Sequence, residues 1–280
     1  MKQEIQAEII KSDMDISPEV SLVIPAFNEN GRIEPTLKEL FSFFKSNFEG
    51  KFEVIIVMDG CNDGTPDCVK NSIKDSFVDV TTIVTPNRLG KGGAIIEALK
   101  YVRGDLVAFI DADGAIPAWE LLRLIRFCKE YDLVFGSRYA KDSKLLKRRS
   151  LERFILSRGF NNLVKFFFHR LRKVNDTQCG VKVFKKTLVK QITSQLFLTD
   201  FAFDVNLIYS ALHSGLKTKE VGITWIDKED SKLSSQLSKQ TLAMFLSVCR
   251  LRLHYSRCRT ILNSRLLTSI ASTSYLWLKS

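Results

Sequence analysis

Two carboxylates one residue apart, Asp111-Ala112-Asp113, follow directly on the apolar run Leu106–Ile110. Near a strand end the chain bends, so both side chains can reach one cation. Oxygen donors of this kind suit Mg²⁺ or Mn²⁺, ions that keep waters and bind substrate phosphates. A diphosphate leaving group needs such neutralisation as the bond to it breaks. An Asp-x-Asp pair is common, and the competing reading is a polar loop start.

Three further loops strengthen the ligand-site reading. Pro25-Ala26-Phe27-Asn28-Glu29 follows one apolar run, and Met58-Asp59-Gly60-Cys61-Asn62-Asp63-Gly64 follows the next. A carboxylate such as Asp59 or Asp63 can accept from a base N–H or a ribose hydroxyl, although turn chemistry alone explains the glycines. Gly90-Lys91-Gly92-Gly93 opens a helical pattern, where N–H groups and the Lys91 ammonium can meet phosphate. It lacks the spacing and the Ser or Thr of a Walker A loop. No G-x-G-x-x-G follows the first run, which argues against a nicotinamide enzyme.

The elements that position these loops are legible in the same stretch. Val20–Ile24, Phe52–Val57, Val80–Val84, Leu106–Ile110 and Leu133–Phe135 are rich in Val, Ile and Phe, and most are apolar throughout. That pattern marks strands covered on both faces. Glu34–Phe48, Gly92–Val102 and Pro117–Glu130 carry apolar residues at helical spacing, with Pro117 expected in the first turn of its helix. Strand–helix alternation predicts an α/β fold with a doubly wound, mostly parallel sheet. Such sheets bind ligands outside the carboxyl ends of their strands, where all four loops lie.

The second half reads differently. Residues 145–174 form a basic amphipathic stretch that Gly159 is expected to divide into two helices. A strand is expected at 181–184, a helix at Phe203–Leu212, a strand at Lys219–Trp225 and a basic amphipathic helix at Gln236–Leu253. The expected organisation is an extension over 1–18, a catalytic domain over 19–230 and a basic helical segment over 231–280.

The formal charge of +11 is unevenly placed: 141–173 carries a net +9 and 231–280 a net +8, which leaves the remainder acidic. Two basic blocks attract polyanions: nucleic acid, anionic headgroups or an anionic substrate. A nucleic-acid-binding protein would leave the four convergent polar loops unexplained, and no RNA-binding signature is present, so no nucleic acid is expected. The six cysteines have no CxxC pair and read as reduced thiols. The three histidines are scattered, which argues against a zinc site. Met1 to Ser17 is polar and mixed in charge, so no signal peptide is expected, and no apolar run reaches 18 residues, so no transmembrane helix is expected.

Taken in order and spacing, Ser21–Glu29, Val57–Thr65, Asn87–Gly93 and Asp111–Asp113 resemble the family 2 inverting glycosyltransferases of the GT-A fold. Further residues are similar to the dolichyl-phosphate β-glucosyltransferase branch: Arg148-Arg149-Ser150, Ser157–Asn161, Asp176–Phe184, Phe201–Val205, Trp225 and Ser231-Lys232-Leu233. The dolichyl-phosphate mannose synthases share the plan more distantly. The resemblance spans about residues 19–255. It implies that Pro25, Ala26, Glu29, Asp59, Lys91, Asp111, Ala112 and Asp113 line the nucleotide-sugar site. Asp111 and Asp113 would bind Mg²⁺ or Mn²⁺, with Asp113 the main ligand. Arg149, Ser157 and Arg158 would hold an acceptor phosphate, with Arg148 competing for the place of Arg149. Three positions depart from the pattern: Met58 stands for an acid, Cys61 for a serine, and Ala115 where the mannose synthases carry a metal-binding Gln.

The reaction so implied moves a hexose, glucose from UDP-glucose, onto a polyprenyl or dolichyl phosphate with inversion. A phosphate acceptor is already ionised and requires cations rather than a general base. The alternatives are mannosyl transfer from GDP-mannose, or a hydroxyl acceptor that would require Asp204 as base. The lipid implies a membrane surface, met peripherally at the cytoplasmic face by the amphipathic stretches.

Overall fold

A computed structural model describes residues 5–10, 17–74, 76–146, 151–226 and 237–256. Four parallel strands build the centre of the sheet. They are β2 (Val20–Ala26), β3 (Phe52–Asp59), β4 (Asp79–Thr85) and β5 (Leu106–Ile110), and β1 (Gln6–Ile10) pairs antiparallel with β4 at the edge. The crossovers between these parallel strands carry α1 (Ile33–Asn47), α2 (Thr65–Ile73) and α3 (Lys91–Ala98). Helix α4 (Ala118–Phe127) leads to β6 (Leu133–Ser137), and β7 (Lys144–Leu145) leads towards α5 (Leu151–Phe167). Then follow β8 (Val181–Lys185), α6 (Lys186–Ile192), α7 (Phe203–His213), β9 (Thr218–Gly222), β10 (Thr224–Trp225) and α8 (Leu237–His254).

The strand order is β1-β4-β3-β2-β5-β8-β6-β9. β8 is wedged antiparallel between β5 and β6, while β9 runs parallel to β6. The expectation of a doubly wound, mostly parallel sheet holds. The strand expected at Lys219–Trp225 is two strands instead: β9 stays in the main sheet, and β10 pairs with β7 in a separate two-stranded ribbon. Ile223 lies between them with its N–H on the Ser137 carbonyl, so the chain leaves one sheet for the other there.

Alternation along the strands divides the core. Ile24, Val54 and Ile56 face one side, against Leu37, Leu40 and Phe44 of α1 and Leu121 and Ile125 of α4. Val23, Ile55, Val57 and Phe109 face the other, against Ala94 and Ile95 of α3 and Phe203 and Leu207 of α7. Each fully buried Leu, Ile or Phe contributes roughly 1.5–3 kcal/mol through area removed from water. Pro117 lies one place earlier than expected, as the extended residue that precedes α4.

Helix α5 is continuous through Gly159, contrary to the expected division. Beyond its own helix backbone, nothing lies within 4 Å of where a Cβ of Gly159 would stand. A mid-helix glycine costs about 1 kcal/mol. Its neighbours outweigh that: Phe160 and Val164 enter the core, and Asn161 accepts from Thr177 N–H at 3.0 Å and Thr177 Oγ1 at 2.9 Å. Helix α8 likewise buries Val248 and Leu251 in the same core. The expected helical segment beyond 256 lies outside the described residues.

Candidate active site

The carboxyl ends of β2, β3 and β5 and the start of α3 meet at one edge. The β2 and β3 loops are laced together. Asn28, at φ +54°, accepts from Asn62 N–H at 2.9 Å, and Glu29 N–H donates to Thr65 Oγ1 at 2.7 Å. Cys61 Sγ lies 3.5 Å from both the Asn28 nitrogen and the Ala26 carbonyl, so the thiol joins the two loops as a serine would. Pro25 and Ala26 are the last two residues of β2, with Ala26 buried. The Arg88 guanidinium stacks on the Phe27 ring, 3.7 Å from its centroid. Gly60 has φ +64°, and a Cβ there would stand 2.8 Å from Arg88 N, so only glycine fits the turn.

Asp59 is buried and turned towards the next loop. Its Oδ1 accepts from Leu89 N–H at 2.5 Å and from Thr85 Oγ1 at 3.2 Å, and its Oδ2 from Gly90 N–H at 2.8 Å. Burial raises its carboxyl above the ordinary aspartate range against the pull of these bonds. Asp59 therefore shapes the 85–90 loop and, through it, the start of α3. At that start Gly93 N–H is already bonded to the Thr199 carbonyl at 3.0 Å. The Lys91 side chain is what reaches the carboxylates.

Lys91 Nζ lies 2.8 Å from Asp111 Oδ1 and 3.2 Å from Asp204 Oδ2. Burial works against its charge, but Asp111 and then Asp204 outweigh it and hold the ammonium above the usual lysine range. Asp113 is held differently, through Ala115 N–H to its Oδ1 at 2.9 Å. Burial, then the neighbouring Asp111, pushes the Asp113 carboxyl upward. Two close carboxylates with too little positive charge beside the second form a donor set that fits a divalent ion. Among the described residues no group of three His, Cys, Asp or Glu side chains gathers to hold a metal. The chain would thus give Asp113 and Asp111, and diphosphate oxygens and water would complete the shell. Ala112, between them, is buried, and its carbonyl accepts from Thr36 Oγ1 at 3.0 Å.

The segment Asp176–Gly180 connects this edge to the basic half. At one end Asp111 N–H donates to the Gly180 carbonyl at 3.2 Å, and a Cβ on Gly180 would stand 2.0 Å from Asp111 Oδ2. At the other end Asp176, fully buried, grips Arg138. Arg138 Nε reaches Asp176 Oδ2 at 2.6 Å, and Nη2 reaches Oδ1 at 2.9 Å. Burial opposes the Asp176 charge, yet Arg138 holds its carboxyl below the usual range. Five residues span at most about 18 Å, so the guanidinium and the diacid flank one short loop.

Arg138 and Arg158 lie against the same ring, with guanidinium carbons 5.6 Å and 4.8 Å from the Tyr139 centroid. Ser157 Oγ is 2.9 Å from Tyr139 Oη. Ser157 and Arg158 of α5 therefore both stand at Tyr139. Arg149, with Arg148, lies outside the described residues. Asp204 heads α7, buried, with Lys91 on one oxygen and Lys182 Nζ 2.6 Å from the other. Glu29 forms an ion pair with Arg32 at 2.8 Å at the rim.

Sequence reading missed Arg138 and Lys182. Ser137-Arg138-Tyr139 follows the carboxyl end of β6, so the rule that singled out four loops would have supplied this fifth. Lys182 is one charge inside the buried run Val181–Phe184, a placement that calls for a partner.

The model for "Glycosyl transferase family 2" matches residues 21–193. A dolichyl-phosphate β-glucosyltransferase of Drosophila melanogaster is 33% identical over 230 residues, covering 78% of this chain and 70% of that protein. One of Homo sapiens is 30% identical over 262 residues, covering 88% and 80%. Glucosyl-3-phosphoglycerate synthase of Mycobacterium tuberculosis, crystallised with Mn²⁺, UDP and its product, superposes with a TM-score of 0.64 at 21% identity. That match covers 83% of this chain and 80% of that one. The fold is thus that of the GT-A glycosyltransferases.

Proposed function

The chain belongs to glycosyl transferase family 2, and from that membership we propose that it transfers glucose from UDP-glucose to a polyprenyl or dolichyl phosphate, with inversion. The observation that carries the reading is the 176–180 loop, with a diacid at one end and a guanidinium cluster at the other. The first suits a nucleotide diphosphate; at the second, Arg138 is neutralised by Asp176, and Arg158 with Ser157 suits an anionic acceptor. Relatives named dolichyl-phosphate β-glucosyltransferase support the acceptor and the sugar.

In this reading Asp113 and Asp111 hold Mg²⁺ or Mn²⁺, which when bound neutralises the diphosphate as it leaves. The mycobacterial protein of similar fold was crystallised with Mn²⁺ and UDP. The 25–29 and 59–65 loops, with the Phe27–Arg88 stack, hold the nucleoside, and Lys91 adds positive charge at the diphosphate. Arg158 and Ser157, with Arg149, orient the acceptor phosphate so that one oxygen faces the anomeric carbon. No proton has to be removed from it. A hydroxyl acceptor would need Asp204 as base, and both Asp204 oxygens already accept from lysines. Glucose recovered on lipid phosphate is the expected product of UDP-glucose. Glucose recovered only on a soluble hydroxyl acceptor would overturn the assignment.

The same reading places the protein on a membrane, at its cytoplasmic face. Among the described residues no helix is long and apolar enough to cross one. Leu151, Phe154, Ile155 and Phe166 of α5 and Leu242, Phe245, Leu246 and Leu253 of α8 are exposed, while the opposite faces pack inward. An apolar face flanked by Lys and Arg suits the headgroup boundary. The protein is expected to sediment with anionic phospholipid vesicles at low salt and to be partly released at high salt. No sedimentation at low salt would contradict peripheral attachment.

A further inference from the structure

We propose that Lys182 is a positioning residue for the donor site, and that Asp204 serves as its counter-ion rather than as a proton acceptor. The proposal rests on the glycosyltransferase reading above. Its observations are a run of four alternating charges: Asp111, Lys91, Asp204 and Lys182, separated by 2.8, 3.2 and 2.6 Å. The run starts at the half-exposed carboxylate of Asp111 and ends on a wholly buried ammonium.

Lys182 lies on β8 opposite Phe109 in the antiparallel register. Its Nζ stands 5.1 Å from the Phe109 ring centroid, and Lys91 Nζ stands 5.8 Å from the same centroid. Besides Asp204, it donates to the Cys179 carbonyl at 2.7 Å. A buried ammonium is tolerated only when paired and hydrogen-bonded. Asp204 therefore has one oxygen committed to Lys182, and the first turn of α7 favours its negative charge. The other oxygen is aimed at Lys91. With Asp111 on its far side, Lys91 is held between two carboxylates of different elements.

This geometry decides what Asp204 does. A general base needs an oxygen within reach of the proton it takes. Asp204 is buried, and each of its oxygens is occupied by an ammonium. It fixes the direction of the Lys91 side chain, and Lys182 fixes Asp204. Loss of Lys182 leaves Asp204 and Asp111 to share one cation. Lys91 then shifts from the place where the diphosphate meets it.

The test uses the full-length protein carrying Lys182→Met, Asp204→Asn or both. UDP binding in Mn²⁺ is measured by calorimetry, and initial rates give KM for donor and acceptor. A displaced Lys91 is expected to lower kcat/KM for the donor roughly 10²-fold, the scale of an ångström-sized misplacement. UDP binding should weaken and acceptor KM should stay as in the wild type. The double variant should be no worse than the poorer single, because the residues act as one unit. The surviving activity of Asp204→Asn should keep the wild-type pH profile. If Lys182→Met does not fold, Lys182→Gln, which keeps a donor without the charge, makes the same comparison. Unchanged UDP binding and donor KM in the Lys182 variants would overturn the proposal. So would an Asp204→Asn enzyme with wild-type UDP binding, no turnover and a lost acidic limb. The UDP measurement does not depend on the acceptor, so failure of the lipid-phosphate assignment is seen separately, as wild-type UDP binding without transfer to lipid.

Discussion

Asp113→Asn is expected to reduce glycosyl transfer by at least about 10³-fold in kcat/KM, about 4 kcal/mol of transition-state stabilisation. The substitution is nearly isosteric, and the amide oxygen can still accept from Ala115 N–H, so the loop should keep its shape. What is lost is the charge. Asp111 is already paired with Lys91, whereas burial and Asp111 both press on the Asp113 carboxyl. Asp113 is therefore the carboxylate that a divalent ion would relieve most. Asp111→Asn should cost less at the metal, but it also frees one side of Lys91. Transfer rates at several Mn²⁺ concentrations check the assignment. A rate for Asp113→Asn within tenfold of the wild type at low Mn²⁺ would contradict it.

The second large effect is on stability. Asp176→Asn is expected to destabilise the fold by about 3–5 kcal/mol, the usual cost of breaking a buried pair and leaving one charge unpaired. Asp176 accepts from Arg138 Nε, Nη2 and N–H and from Gln178 N–H, and all of it is buried. The asparagine still has an oxygen, but its NH₂ must face the guanidinium. Urea denaturation at neutral pH gives the difference directly. The sign of the pH dependence follows from the lowered carboxyl. Its contribution is full above the unfolded aspartate pKa, about 3.9. It is lost as pH falls from there through the lower folded value. The gap between wild type and variant should therefore close in strongly acidic solution. A variant as stable as the wild type at pH 7 would show that the pair does not brace the 176–180 loop.

Much of the fold is legible because parallel strands covered on both faces must be apolar throughout. β3 is buried at every position, and β2 and β5 nearly so. The edge strand β1 escaped notice because Gln6-Ala7-Glu8 reads as polar extension, and only pairing with β4 makes it a strand. β8 was visible as a strand, but its direction and its seat between β5 and β6 depend on contacts distant in sequence. That insertion is what brings Lys182 under Phe109 and Gly180 against Asp111. The continuity of α5 through Gly159 has the same origin, since Asn161 finds its partner in Thr177. The β2, β3 and β5 loops and the start of α3 were legible from the rule that ligands sit beyond strand carboxyl ends. The same rule covers Arg138 and a buried charge marks Lys182, but their partners were not legible, because a lone basic residue does not disclose a carboxylate 38 or 22 positions away.

Sugar transfer with product analysis tests the central claim most directly. The enzyme, polyprenyl phosphate and labelled UDP-glucose or GDP-mannose are combined with Mg²⁺, Mn²⁺ or a chelator, and the anomeric configuration of any labelled lipid is determined. The account predicts β-linked glucose on the lipid phosphate from UDP-glucose in the presence of either metal, and none with chelator. Labelled lipid from neither donor, or transfer undiminished by chelator, would contradict it.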